Sequence, residues 1–163
     1  MKSFTYLGLL CLLLAGCGGG GTTATTASQP SLSDLRSAPV QTTVSLDTLL
    51  MSASLIRNLQ PVVGTVGSSL AGVLTVTSKD GSPIPGGISV VSAYVVQGDQ
   101  SGAFTTLLPI TPRTSDASTI GLNIVGGPAL LPGSRASVVV LLRDAAGNPY
   151  LLQTPNVLII AAD

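Results

Sequence analysis

The most reactive side chain in this sequence is the thiol of Cys17, which stands in the segment LLLAGCGGGG. A thiolate is strongly nucleophilic, so this residue type can be converted to a thioether. Ala15 and Gly16 are small residues directly before Cys17, and Lys2 places a positive charge before the apolar stretch Phe4–Leu14. That stretch is about eleven residues long, whereas a membrane-spanning helix needs about twenty. The pattern predicts a secretory signal peptide over residues 1–16.

The segment Leu14-Ala15-Gly16-Cys17 resembles the lipobox of bacterial lipoproteins. The resemblance implies that the Cys17 sulfur carries a diacylglyceryl group, that a signal peptidase cuts before Cys17, and that the protein is held on a membrane of the bacterial cell envelope. The residue after Cys17 is Gly18 and not Asp, and in this respect the chain resembles lipoproteins that are sorted to the outer membrane of Gram-negative bacteria. The alternative is an ordinary signal peptide with a cysteine there by chance. Cys11 lies inside the apolar run and is expected to act as a small hydrophobic residue.

Most familiar catalytic sites need residue types that this chain lacks. Without histidine, neither a Ser–His–Asp nor a Cys–His site can form. Zinc usually binds to thiolates or imidazoles, and a chain without histidine whose Cys17 is lipidated offers neither. The seven acidic residues are all Asp and are scattered among turn segments, so they suggest no catalytic pair of carboxylates. Ser78 and Lys79 are adjacent, which points their side chains apart. We therefore expect no enzyme activity, no cofactor and no metal site.

The charge balance argues against nucleic acid as a partner. Seven basic and seven acidic residues give a net charge of zero, and only 9% of the residues are charged. Phosphate recognition depends on clustered Lys and Arg, and no such cluster is present.

Aromatic side chains are too few to predict a carbohydrate-binding surface, which usually stacks sugars on aromatic rings. After removal of the signal peptide only Tyr94, Phe104 and Tyr150 remain. Tyr94 lies in an apolar strand candidate and is predicted to be part of the core. Tyr150 follows the Asn148-Pro149 turn signal, and the sequence leaves open whether it makes a surface contact or packs at the edge of the core.

The segment DAAGNP at 144–149 offers oxygen atoms that could bind calcium, from Asp144 and Asn148. No Asp-x-Asp-x-Asp-Gly run strengthens that reading. Gly147 and Asn148 both tolerate positive φ, and the Asp144 carboxylate can accept backbone hydrogen bonds. The sequence therefore favours a tight turn here over a calcium site.

The mature chain divides into a linker and one domain. Residues 17–39 contain the lipidated cysteine and a segment rich in Gly, Thr, Ser and Pro, which predicts a flexible tether. Residues 40–163 are predicted to form a β domain, because β-branched residues alternate with polar ones and Gly/Pro turns separate the runs. Seven strands are expected, at Leu49–Leu55, Leu70–Ser78, Ile88–Gln97, Ala103–Leu108, Thr119–Val125, Ser137–Arg143 and Asn156–Ala161. Val138–Leu142 is continuously apolar, which predicts a strand covered on both faces.

Pro132–Asn148 resembles the F strand and F–G turn of fibronectin type III and bacterial immunoglobulin-like domains. Residues 76–90 are similar to an early turn of the same class of modules. The resemblance implies an all-β fold, an antiparallel immunoglobulin-like β-sandwich of about seven strands. The chain departs from the family at Ala136, where a corner tyrosine is usual, and it has no core tryptophan.

Together these features predict a non-enzymatic protein anchored to the membrane through acylated Cys17. Its expected role is to bind an envelope protein or to support an envelope assembly, with contacts made by strand edges or sheet faces. Two alternatives remain open, a carrier of an apolar small ligand inside the sandwich and an enzyme with an Asp-based site.

Overall fold

The computed structural model describes residues 29–59, 69–98, 104–113 and 116–162. One short helix, α1 (Leu32–Arg36), precedes a series of strands. The strands are β1 (Gln41–Val44), β2 (Asp47–Asn58), β3 (Leu70–Ser78), β4 (Ser89–Gln97), β5 (Phe104–Leu108), β6 (Ile110–Pro112), β7 (Thr119–Gly127), β8 (Arg135–Arg143) and β9 (Pro149–Ala162). The prediction of an all-β fold is confirmed.

The prediction of seven strands is wrong, because the described residues form nine. The two additional strands, β1 and β6, are only four and three residues long, so neither has room for a visible alternation of apolar and polar residues. The last strand also begins at Pro149 and not at Asn156. Its two prolines, at 149 and 155, look like strand breakers in the sequence, since proline cannot donate to a sheet ladder.

The strands form one sheet in the order β5-β4-β8-β9-β2-β3-β7-β6, which curls until it nearly closes into a barrel. We call β2, β3, β7 and β6 the front half of the sheet and β5, β4, β8 and β9 the back half. All pairs are antiparallel except β2 with β9, which run parallel. The expectation of an antiparallel architecture therefore holds for every pair but this one.

Strand β9 joins the two halves because it changes partner along its length. From Pro149 to Leu158 it pairs with β8, and from Ile159 to Ala162 it pairs with the end of β2. Asn156, with a φ of 57°, lies just before the change, and the ladder with β8 shifts register nearby. The other half of the same β2 edge is occupied by β1, which leads into β2 through a two-residue turn.

The interior of the barrel is filled by apolar side chains from the inner face of both halves. Leu55, Leu74, Val140, Leu152 and Ile159 are among the side chains that are at most 1% exposed in this cluster. Successive side chains of a strand point to opposite faces of the sheet, so every second residue of each strand enters this core. The alternation of apolar and polar residues in the sequence reflects that arrangement.

The β2–β3 pair packs so closely that one position accepts only glycine. A Cβ atom on Gly72 would collide with the backbone carbonyl of Ser54 on β2. A backbone neighbour cannot move aside as a flexible side chain can, so the glycine is a consequence of this close approach.

Helix α1 covers the outer face of the back half. Leu35 and Ala38 pack there in a second apolar cluster, against Tyr94, Val139 and Leu141. A capping box begins the helix, since the Ser31 hydroxyl accepts from the Asp34 N–H and the Asp34 carboxylate accepts from the Ser31 N–H. Strand β8 is thereby covered on both faces, and the prediction for Val138–Leu142 is confirmed.

The chain leaving α1 is also fixed to the sheet. The backbone N–H of Gln153 donates to the Pro39 carbonyl at 2.9 Å, and the Gln153 side-chain amide donates to the Ala38 carbonyl. Residues 31–39, which the sequence places at the end of the linker, are therefore packed against the domain.

Candidate functional site

The residue that carries the strongest sequence prediction, Cys17, lies outside the described residues. The attachment of lipid at Cys17 stays a prediction. The first described residue is Gln29, which is separated from Cys17 by residues 18–28. The sites below are those that the described residues form.

The turn between β8 and β9 contains Asp144 and Asn148, the two residues that the sequence analysis considered as calcium ligands. One Asp144 carboxylate oxygen accepts from the Asn148 N–H at 2.9 Å. The other accepts from the Asn148 side-chain amide at 2.8 Å and from the Tyr150 hydroxyl at 3.1 Å. The backbone N–H of Gly147, whose φ is 86°, donates to the Asp144 carbonyl, so the loop closes on itself.

These contacts change the acidity of both ionisable groups. The hydrogen bond from the Asn148 side chain holds the pKa of Asp144 below its ordinary value, because the bond stabilises the carboxylate. The hydrogen bond to Asp144 raises the pKa of Tyr150, because it favours the protonated hydroxyl next to a negative charge.

The geometry favours the turn over the calcium site. Both carboxylate oxygens of Asp144 face hydrogen-bond donors, and Asn148 presents its N–H groups to them. Within the described ranges, no group of three or more Cys, His, Asp or Glu side chains comes together. Tyr150 packs against the main core cluster, and its hydroxyl is fixed to Asp144, so it belongs to the edge of the core.

The other residues considered from the sequence lie far apart in the fold. Tyr94 is 3% exposed and lies beneath α1, as its apolar strand predicts. Ser78 is buried at the end of β3, where its hydroxyl bonds with the Ser82 hydroxyl, which in turn donates to Asp47. Lys79 is exposed in the following turn. Phe104 is the first residue of β5.

A shallow open pocket of about 350 Å³ lies on the outer face of the front half. It is lined by Thr75 on β3, by Thr119 and Gly121 on β7, and by Arg113 after β6. Thr75 is paired directly with Gly121, so the missing side chain of the glycine makes the depression. Two hydroxyl groups and one guanidinium do not form a recognisable catalytic set.

A group of exposed apolar side chains lies at one end of the barrel. This is the end at which β2, β7 and β9 finish and β3 and β8 begin. We call this group the apolar rim, and it consists of Ile56, Leu59, Val125, Leu131, Leu158 and Ile160. The sequence did not reveal it, because its members come from three distant segments and each is an ordinary strand or turn residue in its own segment.

Hydrogen bonds and strand register show that the members of the apolar rim are neighbours. Ile56 is directly paired with Ile160, and Ala71 connects Ile56 to Val125 across the sheet. The Leu59 N–H donates to the Ala162 carbonyl. Leu131 lies in the turn whose Gly133 N–H donates to the Ile159 carbonyl at 2.8 Å.

Among the described residues, charged side chains of the strands and their turns lie at both ends of the barrel, with Lys79 and Arg143 at the end opposite the apolar rim. Arg57 and Arg135 lie at the rim end, where each donates to a backbone carbonyl, of Leu130 and Asn156 respectively. The described acidic residues of the strands and their turns are all at the opposite end, at positions Asp47, Asp80, Asp116 and Asp144. Asp99 and Asp163 lie outside the described residues.

Comparisons with known proteins supply no relative for this chain. No family model matches it, no curated protein matches it, and no solved structure matches it. In the described part of the chain, no helix is long and apolar enough to cross a bilayer.

Proposed function

We propose that this chain is a lipid-anchored, non-enzymatic protein of the bacterial cell envelope that binds a protein partner or supports an envelope assembly. The observation that carries the proposal is the Leu14-Ala15-Gly16-Cys17 segment at the end of a short apolar run. It marks Cys17 as the first residue of the mature protein and as the point of membrane attachment.

The residue inventory supports a binding role over an enzymatic one. The chain has no histidine, and the Asp144 carboxylate serves the turn that holds it. The interior is filled by side chains such as Leu74, Val140 and Leu152, which are fully buried, so the described residues also lend no support to a carrier of an apolar ligand.

We further propose that the domain is an immunoglobulin-like module. The order β2-β3-β7-β6 corresponds to strands A-B-E-D of that fold, and β5-β4-β8-β9 corresponds to C′-C-F-G. The first long strand and the last one lie side by side, where the two halves meet. Such modules commonly serve as binding or spacing units, which agrees with the absence of histidine from the sequence.

The anchor is tested by expressing the full chain in a Gram-negative host and comparing it with Cys17→Ala. We expect the membrane-extracted protein to have the mass of residues 17–163 plus a diacylglyceryl group and fatty acid, because acylation and cleavage occur together at this cysteine. Cys17→Ala should keep the uncleaved mass. Cys11→Ala is the matched control and should be processed normally.

A mass equal to the unmodified chain, or membrane attachment that survives equally in Cys17→Ala, would contradict the anchor. The binding role is tested separately by crosslinking in intact envelopes. Failure to recover any reproducible protein partner would contradict it.

A further inference from the structure

We propose that residues 31–39, which we call the strap, detach from the sheet and dock again while the sheet stays folded. The strap contains α1 and the chain that leads from it toward β1. Its detachment gives the chain between Cys17 and the domain a second, greater length. The use of that length at a membrane rests on the proposed attachment at Cys17, whereas the detachment itself does not.

The docked strap buries little of its own surface. Leu35 and Ala38 are its buried residues, at 2% and 3% exposed, and six of its nine residues are exposed. Fixing the backbone of each residue costs conformational entropy. The burial of two apolar side chains and the two hydrogen bonds from Gln153 offset that cost only partly. Segments with this balance open at a lower free energy than the core of a domain.

Detachment of the strap breaks no pairing between strands. Tyr94, Val139 and Gln153 lie side by side on β4, β8 and β9 through the register of those strands. The strap lies on the outer face of this part of the sheet. The Gln153 N–H donates to the Pro39 carbonyl and not to β8, so its loss leaves the β8–β9 ladder unchanged.

The face beneath the strap favours docking again. Detachment exposes apolar side chains to water, namely those of Tyr94, Val96, Val139 and Leu141. Contact of apolar surface with water is unfavourable. The strap therefore returns to the sheet when no force pulls on it, which makes the change of length reversible.

The gain in length is set by the number of residues released. Nine residues join those that already separate Cys17 from the strap. An extended chain spans about 3.3–3.6 Å per residue, so the release adds up to about 30 Å. A domain held in this way can follow a partner away from the membrane without unfolding.

Native-state hydrogen exchange tests whether the strap opens by itself. The acylated mature protein in detergent micelles is compared with Ile159→Ala, which truncates a side chain of the main core and none beneath the strap. The strap is followed at the N–H groups of Leu35 and Ser37, which bond within it, and of Gln153, which bonds to it. Val140 on the central strand β8 is the reference for the core.

We expect Ile159→Ala to accelerate exchange at Val140 by about a hundredfold, because truncation of a core side chain favours global unfolding. Exchange at Leu35, Ser37 and Gln153 should stay unchanged. If Ile159→Ala does not fold, Ile159→Val makes the same comparison with an acceleration of about fivefold at Val140.

Equal acceleration at the strap and the core would mean that the strap opens only when the sheet unfolds, and it would overturn the inference. Exchange at Gln153 that follows Val140 while Leu35 does not would mean that α1 frays and the chain keeps one length. That result overturns the inference as well.

The change in length is measured by pulling on the unacylated chain, residues 17–163, through a maleimide handle on the Cys17 thiol and a C-terminal tag. We expect a reversible extension of up to about 30 Å before the domain unfolds. Leu35→Ala should lower the force of this step, whereas Leu32→Ala, on the exposed side of α1, should not.

A single unfolding step with no earlier extension contradicts the inference. Because the pulled chain carries no lipid, this result does not depend on acylation. An unmodified mass for the membrane-extracted protein would refute the anchor and leave the opening of the strap standing, whereas acylated Cys17 without the early extension would do the reverse.

Discussion

At the scale of single residues, the turn after β8 shows how one carboxylate can organise a loop. Asp144 receives donors from the backbone and side chain of Asn148 and from the Tyr150 hydroxyl. The sequence predicts a tight turn here from the Asp, Gly and Asn types alone. It does not predict the third contact, because Tyr150 reaches Asp144 only when β8 and β9 pair across the turn.

We predict that Asp144→Asn lowers the pKa of Tyr150 toward its ordinary value of 10.0. In the wild-type protein the Asp144 carboxylate favours the protonated Tyr150 hydroxyl. The variant removes the negative charge of that carboxylate and leaves a weaker hydrogen-bond acceptor. The measurement is the tyrosinate absorbance against pH, in a Tyr94→Phe background so that only Tyr150 titrates in the mature chain. Asp116→Asn is the control and should leave this titration unchanged, and an unchanged Tyr150 midpoint in Asp144→Asn would refute the assignment.

At the scale of elements, helix α1 is too short to be stable by itself, since isolated helices of this length do not form in water. The capping box at Ser31 and the burial of Leu35 on the back half of the sheet hold it. Its five residues follow a segment of linker composition, so the sequence gives no apolar period from which to predict it. The helix forms where the capping box begins it and the apolar outer face of β4 and β8 buries Leu35.

Leu35→Ala is therefore expected to lower the free energy of unfolding by about 2–4 kcal/mol, because it empties a position that is only 2% exposed. Leu32→Ala, on the exposed side of the same helix, should change that free energy by less than about 0.5 kcal/mol. Urea titrations followed by circular dichroism compare the two variants. Equal effects of the two substitutions would mean that α1 does not pack as described.

At the scale of the whole molecule, the decisive feature is the passage of β9 from β8 to β2. Without residues 159–162 the front and back halves would have no shared hydrogen-bonded strand. The parallel pairing connects residues about a hundred positions apart in the sequence, and the loop-closure entropy of such a contact is offset by the core that it completes.

The pairing of β9 with β2 predicts that two neighbouring isoleucines contribute very differently to the free energy of unfolding. Ile159→Ala should lower the free energy of unfolding by about 2–5 kcal/mol, since Ile159 is 1% exposed in the core beside Leu55. Ile160→Ala should have a much smaller effect, because Ile160 points outward into the apolar rim. Thermal and urea unfolding of the two variants measure the difference. A similar loss of unfolding free energy in both would show that the side chains of β9 do not alternate between core and surface where β9 pairs with β2.

Local sequence pattern was sufficient for most of the strands. Leu70–Ser78 has the predicted bounds, and Ile88–Gln97 and Thr119–Val125 differ from the structure by one or two residues at one end. These predictions succeed because alternation with a period of two and the placement of glycine depend on neighbouring residues only. Lipid attachment at Cys17 also follows from a local pattern, and it stays a prediction.

The sequence by itself determined that the chain would build β-strands separated by glycine and proline turns, because strand periodicity and turn chemistry are properties of adjacent residues. Only the tertiary structure decided that β1 and β6 would form, that β9 would serve both halves of the sheet and that α1 would cover one of them. The apolar rim likewise exists only in the folded chain, where the ends of β2, β7 and β9 meet the turn before β8. Pairing and burial depend on contacts between distant segments, and a pattern read along one segment contains no information about its partner.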